Sequence, residues 1–222
     1  MADKQALKCY FEDSQHEFAA LAGSLTAEQW ATPSLCEGWT VREVVVHTAW
    51  HIHLKPSLAA TSDFLQFLVL GNARFTRDHM ARDGARSNES LVRWLQSPAP
   101  CSANYLCELM MHQQDVRRPL KMPREIPSDH LSWLLSYCLT RAGNRNAGGK
   151  PRDRVKGLRL VASDIAWSAG EGPEVRGPGE AILMTITGRR GAVEELSGPG
   201  VAVLEHRAHR TKRWFENHRW AD

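Results

Sequence analysis

Two short stretches of this sequence hold the residue types of a cation site. In "SANYLCELMMHQQDV" Glu108 and His112 stand four residues apart, so on a helix both side chains project over the same point. In "TVREVVVHTAWH" His47 lies at the edge of a helical stripe formed by Val41, Val44, Val45, Thr48 and Ile52, with His51 one turn below. Two imidazoles and a carboxylate can hold a divalent metal and leave coordination positions open, as catalytic sites do and closed structural sites do not. Plainer readings exist for each residue. His47 could be a partly buried imidazole bonded to a backbone carbonyl. Glu108 could pair with His112 alone, or with an arginine such as Arg82 or Arg117.

The segment around Glu108 favours a metal. On a helical wheel Tyr105, Glu108, Leu109, His112 and Val116 fall within about 100° of one another, while Leu106, Cys107, Met110 and Met111 cover the rest. A helix that is apolar all round is buried, and a buried carboxylate needs a proton, a cationic partner or a metal. Asp115, three residues past His112, could accept a hydrogen bond from an imidazole and orient it. Cys36 reads as a packing residue, not a nucleophile.

The elements that must position these residues are mostly helical up to about Arg141. Leu7, Phe11, Phe18, Leu21 and Leu25 give a first amphipathic helix, and Thr26 caps a short turn in "AEQW". "TVRE" has the capping-box pattern, Thr40 with Glu43, and starts the helix of His47. Further helices are predicted over residues 62–83, in "NESLVRWLQ", from a cap at Ser102, and from a cap at Ser128. Beyond them "AGNRNAGGKPRDRVKG" reads as a glycine-rich basic loop. "LRLVAS" and "PEVRG" read as short strands around "SAGEG", and "PGEAILMTITG" as a helix with Pro178 near its first turn. The expected fold is mainly α with a small α+β part: an up-and-down four-helix bundle at residues 1–150, a small α+β domain at 151–207, and a basic, aromatic tail at 208–222.

Composition narrows the function classes. Of 222 residues, 42% are hydrophobic and 24% charged, ordinary values for a globular chain with a core, and the net charge is only +3. Five cysteines without a CxxC pair argue against a disulfide framework or a zinc knuckle and for reduced thiols in the cytoplasm. The polar start "MADKQALKCYFED" is not expected to be a signal peptide, and no apolar run is long enough to span a membrane. Seven Lys/Arg against one acid between Arg141 and Arg159, with aromatic residues in the tail, would suit nucleic acid, but no recognition-helix pattern accompanies them. "GNRNAGGKP" lacks the phosphate-loop ending.

Three segments together resemble the mycothiol-dependent maleylpyruvate isomerase-like proteins, within the wider DinB/YfiT-like metalloenzyme superfamily. "SLCEGWTVREVVVHTAWH" is similar to their first signature, "ELMMHQQDVRRPLKMP" to the second, and "GLRLVASDIAWSAGEGPEVRGPGEAILMTITGRRGAVEELSGPG" to their C-terminal segment. The resemblance implies a DinB-like four-helix bundle with a small C-terminal domain. It also implies a divalent metal, usually Zn2+, with Ni2+ or Mn2+ as alternatives, held by His47, Glu108 and His112. His51 is not at a ligand position of that family. Arg176 and Glu180, in the C-terminal motif, could help shape a substrate cleft or only join the domains. The implied cosubstrate is mycothiol, the actinobacterial thiol.

A metal with open positions can acidify a thiol, which then attacks a small electrophile. Transfer, giving a stable S-conjugate, is the favoured outcome; cis–trans isomerisation of the maleylpyruvate type is the alternative. A non-catalytic metal- or ligand-binding role for the same bundle is a third reading. The expected partners are therefore a low-molecular-weight thiol and an electrophile, with no membrane and no nucleic acid, as a monomer or a homodimer.

Overall fold

A computed structural model describes residues 4–53, 80–146 and 150–210 of the chain. These fall into two compact units, one up to Pro123 and one from Arg124 onward. The first is helical: α1 (Lys4–Ser24), α2 (Ala27–Ala31), α3 (Val41–Ile52), α4 (Asn88–Gln96) and α5 (Ala103–Arg117). The predicted helix over 62–83 lies outside the described residues except for its last turn, Met80–Asp83, which is helical. Helices α1 and α3 each pack against α4 and α5. Phe11 and Phe18 of α1, Val44, Val45 and Ile52 of α3, Leu91 and Leu95 of α4, and Leu106 and Leu109 of α5 are all buried between them.

The helix starts follow the local chemistry. At α3 the Thr40 side chain accepts from Glu43 N at 3.3 Å, and Glu43 Oε2 accepts from Thr40 N at 2.7 Å. This reciprocal box satisfies two amides that the first turn would otherwise leave without partners. Thr26 with Gln29 does the same at α2. Ser102 Oγ accepts from Tyr105 N at the start of α5, and Ser87 Oγ from Ser90 N at α4.

The second unit holds α6 (Ser128–Cys138), α7 (Arg141–Asn146), α8 (Pro151–Arg154), a three-stranded sheet, α9 (Gly179–Ile186), a 3-10 turn (Arg190–Glu195) and α10 (Val201–Arg210). The sheet order is β2 (Ser168–Ala169), β1 (Arg159–Ala162), β3 (Glu174–Gly177). β1 runs antiparallel to β2 and parallel to β3, with Leu160 opposite Val175. Pro178 stands at the N-cap position of α9, with no side-chain capping bond.

Two local expectations are corrected. Helix α6 begins at Ser128 itself, with Pro127 as its cap and no side-chain capping bond, so Ser128 does not cap it. The basic stretch read as a loop contains α7 and α8. Thr140 Oγ1 accepts from Gly143 N at the start of α7, and Pro151 opens α8. Arg154 is buried, donating to the carbonyls of Thr185 and Ile186 at 3.2 and 2.6 Å, where the end of α9 favours a cation. Among the described residues no helix is long and apolar enough to cross a membrane.

The capping box supplies the first prediction. Thr40→Ala is expected to lower stability by about 1 kcal/mol, measured as a reduced midpoint in urea with unchanged slope; an unchanged midpoint would remove the box from the account of how α3 begins.

Candidate metal centre

Helix α5 is buried along eleven consecutive residues, Leu106 to Val116. Gln113 Nε2 donates to the Ser14 carbonyl of α1 at 2.8 Å, which fixes the rotation of α5 about its axis. With that rotation set, Glu108 and His112 face α3, and His47 of α3 meets them. His112 Nε2 lies 3.1 Å from Glu108 Oε2, and His47 Nε2 lies 3.4 Å from the same oxygen. The two imidazoles stand nearly edge to face, with centroids 5.0 Å apart. One donor atom from each of the three residues falls within a span of 4.8 Å.

The electrostatics split the two histidines. Burial is the main cause that pushes His47 down, to about 4, outweighing the pull of Glu108; the neighbouring His112 charge pushes the same way. Burial alone would raise Glu108, but His51 and the hydrogen bonds of His112 and His47 hold it well below the usual carboxylate range. Burial opposes charge on His112 too, yet the hydrogen bonds with Asp115, Cys36 and Glu108 raise it well above the ordinary value. In the metal-free protein the arrangement is therefore a neutral His47, an anionic Glu108 and a protonated His112.

Asp115 is fully buried, and its Oδ2 accepts from His112 Nδ1 at 2.8 Å. This fixes the ring and leaves Nε2 pointing at Glu108, the arrangement common behind metal-binding histidines. Around His47 lie Trp39 at 5.0 Å, His51 at 5.6 Å and Trp50 at 6.2 Å between ring centroids. His51 is engaged by Asn104 of the facing helix, Nδ2 to Nε2 at 3.2 Å.

The alternative partners for Glu108 are not used. Arg82 is paired with Asp83 at 3.0 Å, and Arg117 reaches toward the Met122 carbonyl. Arg176 lies on β3 of the second unit, where its Nε donates to Glu174 at 2.8 Å. Glu180 stands in the first turn of α9 in that unit. Cys36, read from the sequence as a packing residue, has a polar role: its Sγ donates to Asp115 Oδ2 at 3.1 Å and lies 3.8 Å from His112 Nδ1. Cys36, His112 and Asp115 form a second group with metal-ligand spacing. A thiol in a turn, far along the chain from its carboxylate, leaves no periodic signal.

The donor set fits a divalent cation: imidazole nitrogens suit zinc, nickel and similar ions, and one carboxylate supplies the charge. Because metal competes with the proton on His112, zinc binding near neutral pH is expected to release about one proton, and affinity should rise with pH until His112 is neutral in the free protein. Calorimetry in buffers of different ionisation heat measures this. In the metal-free protein, NMR should find His47 titrating near pH 4 and His112 above the ordinary range; equal midpoints would contradict the assignment.

Residues 11–100 match the family model for the mycothiol maleylpyruvate isomerase N-terminal domain, a segment that holds His47 and stops short of Glu108. No curated protein matches the chain. Among solved structures it is similar to the mycothiol-dependent maleylpyruvate isomerase, with a TM-score of 0.52 and 12% identity over 88% of this chain and 92% of that one. A histidine-to-alanine mutant of that isomerase gives the same TM-score, identity and coverage. At this identity the likeness shows a shared fold, the mainly helical DinB-like architecture with a small sheet. Residues 11–100 of the chain are thus similar to the mycothiol maleylpyruvate isomerase N-terminal domain.

Proposed function

We propose that the protein is a metal-dependent enzyme that uses a low-molecular-weight thiol, mycothiol, to attack a small electrophile. His47, Glu108 and His112 hold the cation in this reading, with Zn2+ the first choice and Ni2+ or Mn2+ compatible with the same donors. The observation that carries it is the convergence of two imidazoles from different helices on one buried carboxylate oxygen. A divalent cation bound there would acidify a coordinated thiol and so supply thiolate at neutral pH.

The chain's own residues prepare that chemistry. Glu108 stays anionic and supplies charge that two neutral imidazoles lack. His47 stays neutral, so shifting its one ring proton from Nε2 to Nδ1 would leave a lone pair toward the cation. Asp115 accepts the Nδ1 proton of His112 and so keeps the Nε2 lone pair free once the second proton has left. Trp39 and Trp50 flank His47 and give an apolar wall that favours a soft, weakly hydrated electrophile over water.

Two outcomes share the first bond. The thiol loses its proton and its sulfur bonds to an electrophilic carbon. In transfer, a leaving group departs or a strained ring opens, and sulfur stays in the product. In isomerisation, sulfur adds to a conjugated double bond, the former double bond rotates, and the thiol leaves again. Transfer is the broader reaction class and is our primary reading; the names of the matched family and of the similar structures favour isomerisation as the second.

Purified protein is expected to carry about one metal per chain, and Glu108→Gln to weaken it by at least the roughly 10- to 100-fold seen when supporting residues are changed. Elemental analysis with chelator competition measures both. With thiol and monochlorobimane, the wild type should consume thiol faster than His47→Ala; equal rates would remove the enzyme reading. Mass spectrometry then separates the outcomes: S-conjugate for transfer, unchanged thiol and a rearranged electrophile for isomerisation.

A further inference from the structure

Asp115 Oδ2 carries two donors at once: His112 Nδ1 at 2.8 Å and Cys36 Sγ at 3.1 Å. A built turn delivers the thiol. Leu35 N donates to the Asp115 carbonyl at 3.0 Å, so the turn grips the backbone of Asp115 as well as its side chain. Cys36 N donates to Ser34 Oγ at 3.1 Å, and Ser34 N to the Trp39 carbonyl at 2.8 Å. Gly38 closes the turn at φ +81°, a conformation that side-chain-bearing residues rarely adopt.

We propose that Cys36 is a positioning residue that sets how strongly Asp115 pulls on the His112 Nδ1–H, and through it the electron donation available at His112 Nε2. The consequence for metal rests on the reading above; the hydrogen bond itself does not. A carboxylate oxygen that accepts two protons shares its charge between them. The S–H is a weak donor and takes the smaller share. Cys36 acts on His112 in two opposed ways: its sulfur, 3.8 Å from Nδ1, favours the charged ring, while its S–H draws on Asp115 at 3.1 Å. The second contact is the closer, so removing the thiol returns that share to His112, strengthens the Nδ1–H hydrogen bond, and makes Nε2 the better ligand.

Cys36→Ala and Cys36→Val both remove the donor, the valine keeping the bulk in case alanine destabilises the turn; Cys36→Ser keeps a hydroxyl donor. On the full chain, zinc affinity is read by competition with a chromophoric chelator, and the His112 Nδ1–H proton resonance is read in the metal-free protein. Loss of the donor is expected to tighten zinc binding about 3- to 10-fold, below the range for losing a whole supporting group, and to move the resonance downfield. The serine variant should stay near wild type in both. Packing alone predicts weaker zinc binding in the alanine variant and no resonance shift in the valine variant, and that result overturns the proposal. Zinc lost from the alanine and valine variants but kept by His47→Ala would make Cys36 a ligand, overturning it together with the site assignment. A protein that binds no zinc, yet shows the shift, would sink the metal reading and uphold the role of Cys36.

Discussion

One oxygen, Glu108 Oε2, is the point on which two helices agree. It accepts from an imidazole four residues along its own helix and from another on α3. Burying a carboxylate in a helix walled by Leu106, Leu109, Met110 and Met111 is costly unless its charge is met. Here both neighbours are imidazoles, and burial drives one of them, His47, to stay neutral. The protein thus keeps its anion in the core on the ring protons of two imidazoles, and a divalent cation could take the place of those protons among the same three donors.

The parts of this centre that were legible in the sequence are those set by local spacing. Thr40 with Glu43 starts α3, and the four-residue step from Glu108 to His112 puts both on one face. That α5 is buried was visible because its apolar residues leave no polar stripe. That α3 would face α5 was not a local fact; it was one of several readings of the histidines, which family resemblance supported, and the structure packs the two helices against each other.

What escaped sequence reading depends on distant partners. Cys36 and Asp115 are 79 residues apart, and no periodicity links a turn to the far end of a helix. Arg154 reads as one more cation in a basic run until Thr185 and Ile186 supply the carbonyls that bury it. The two-residue strand Ser168–Ala169 has no signal of its own and exists only as the antiparallel partner of β1. Ser128 illustrates the opposite error, a residue of the right type at a helix start where Pro127 already holds the capping position.

The hydrogen bond from Gln113 to the Ser14 carbonyl stands next to His112 in sequence. It works as a key that permits α5 one angular setting against α1. Inserting or deleting a single residue between Glu108 and Gln113 would turn the two parts of the helix by about 100° across that lock, taking Glu108, His112 or both off the face toward α3. Diversification of this scaffold is therefore confined to substitution in the middle of α5, while changes in chain length must be accommodated in its connecting segments.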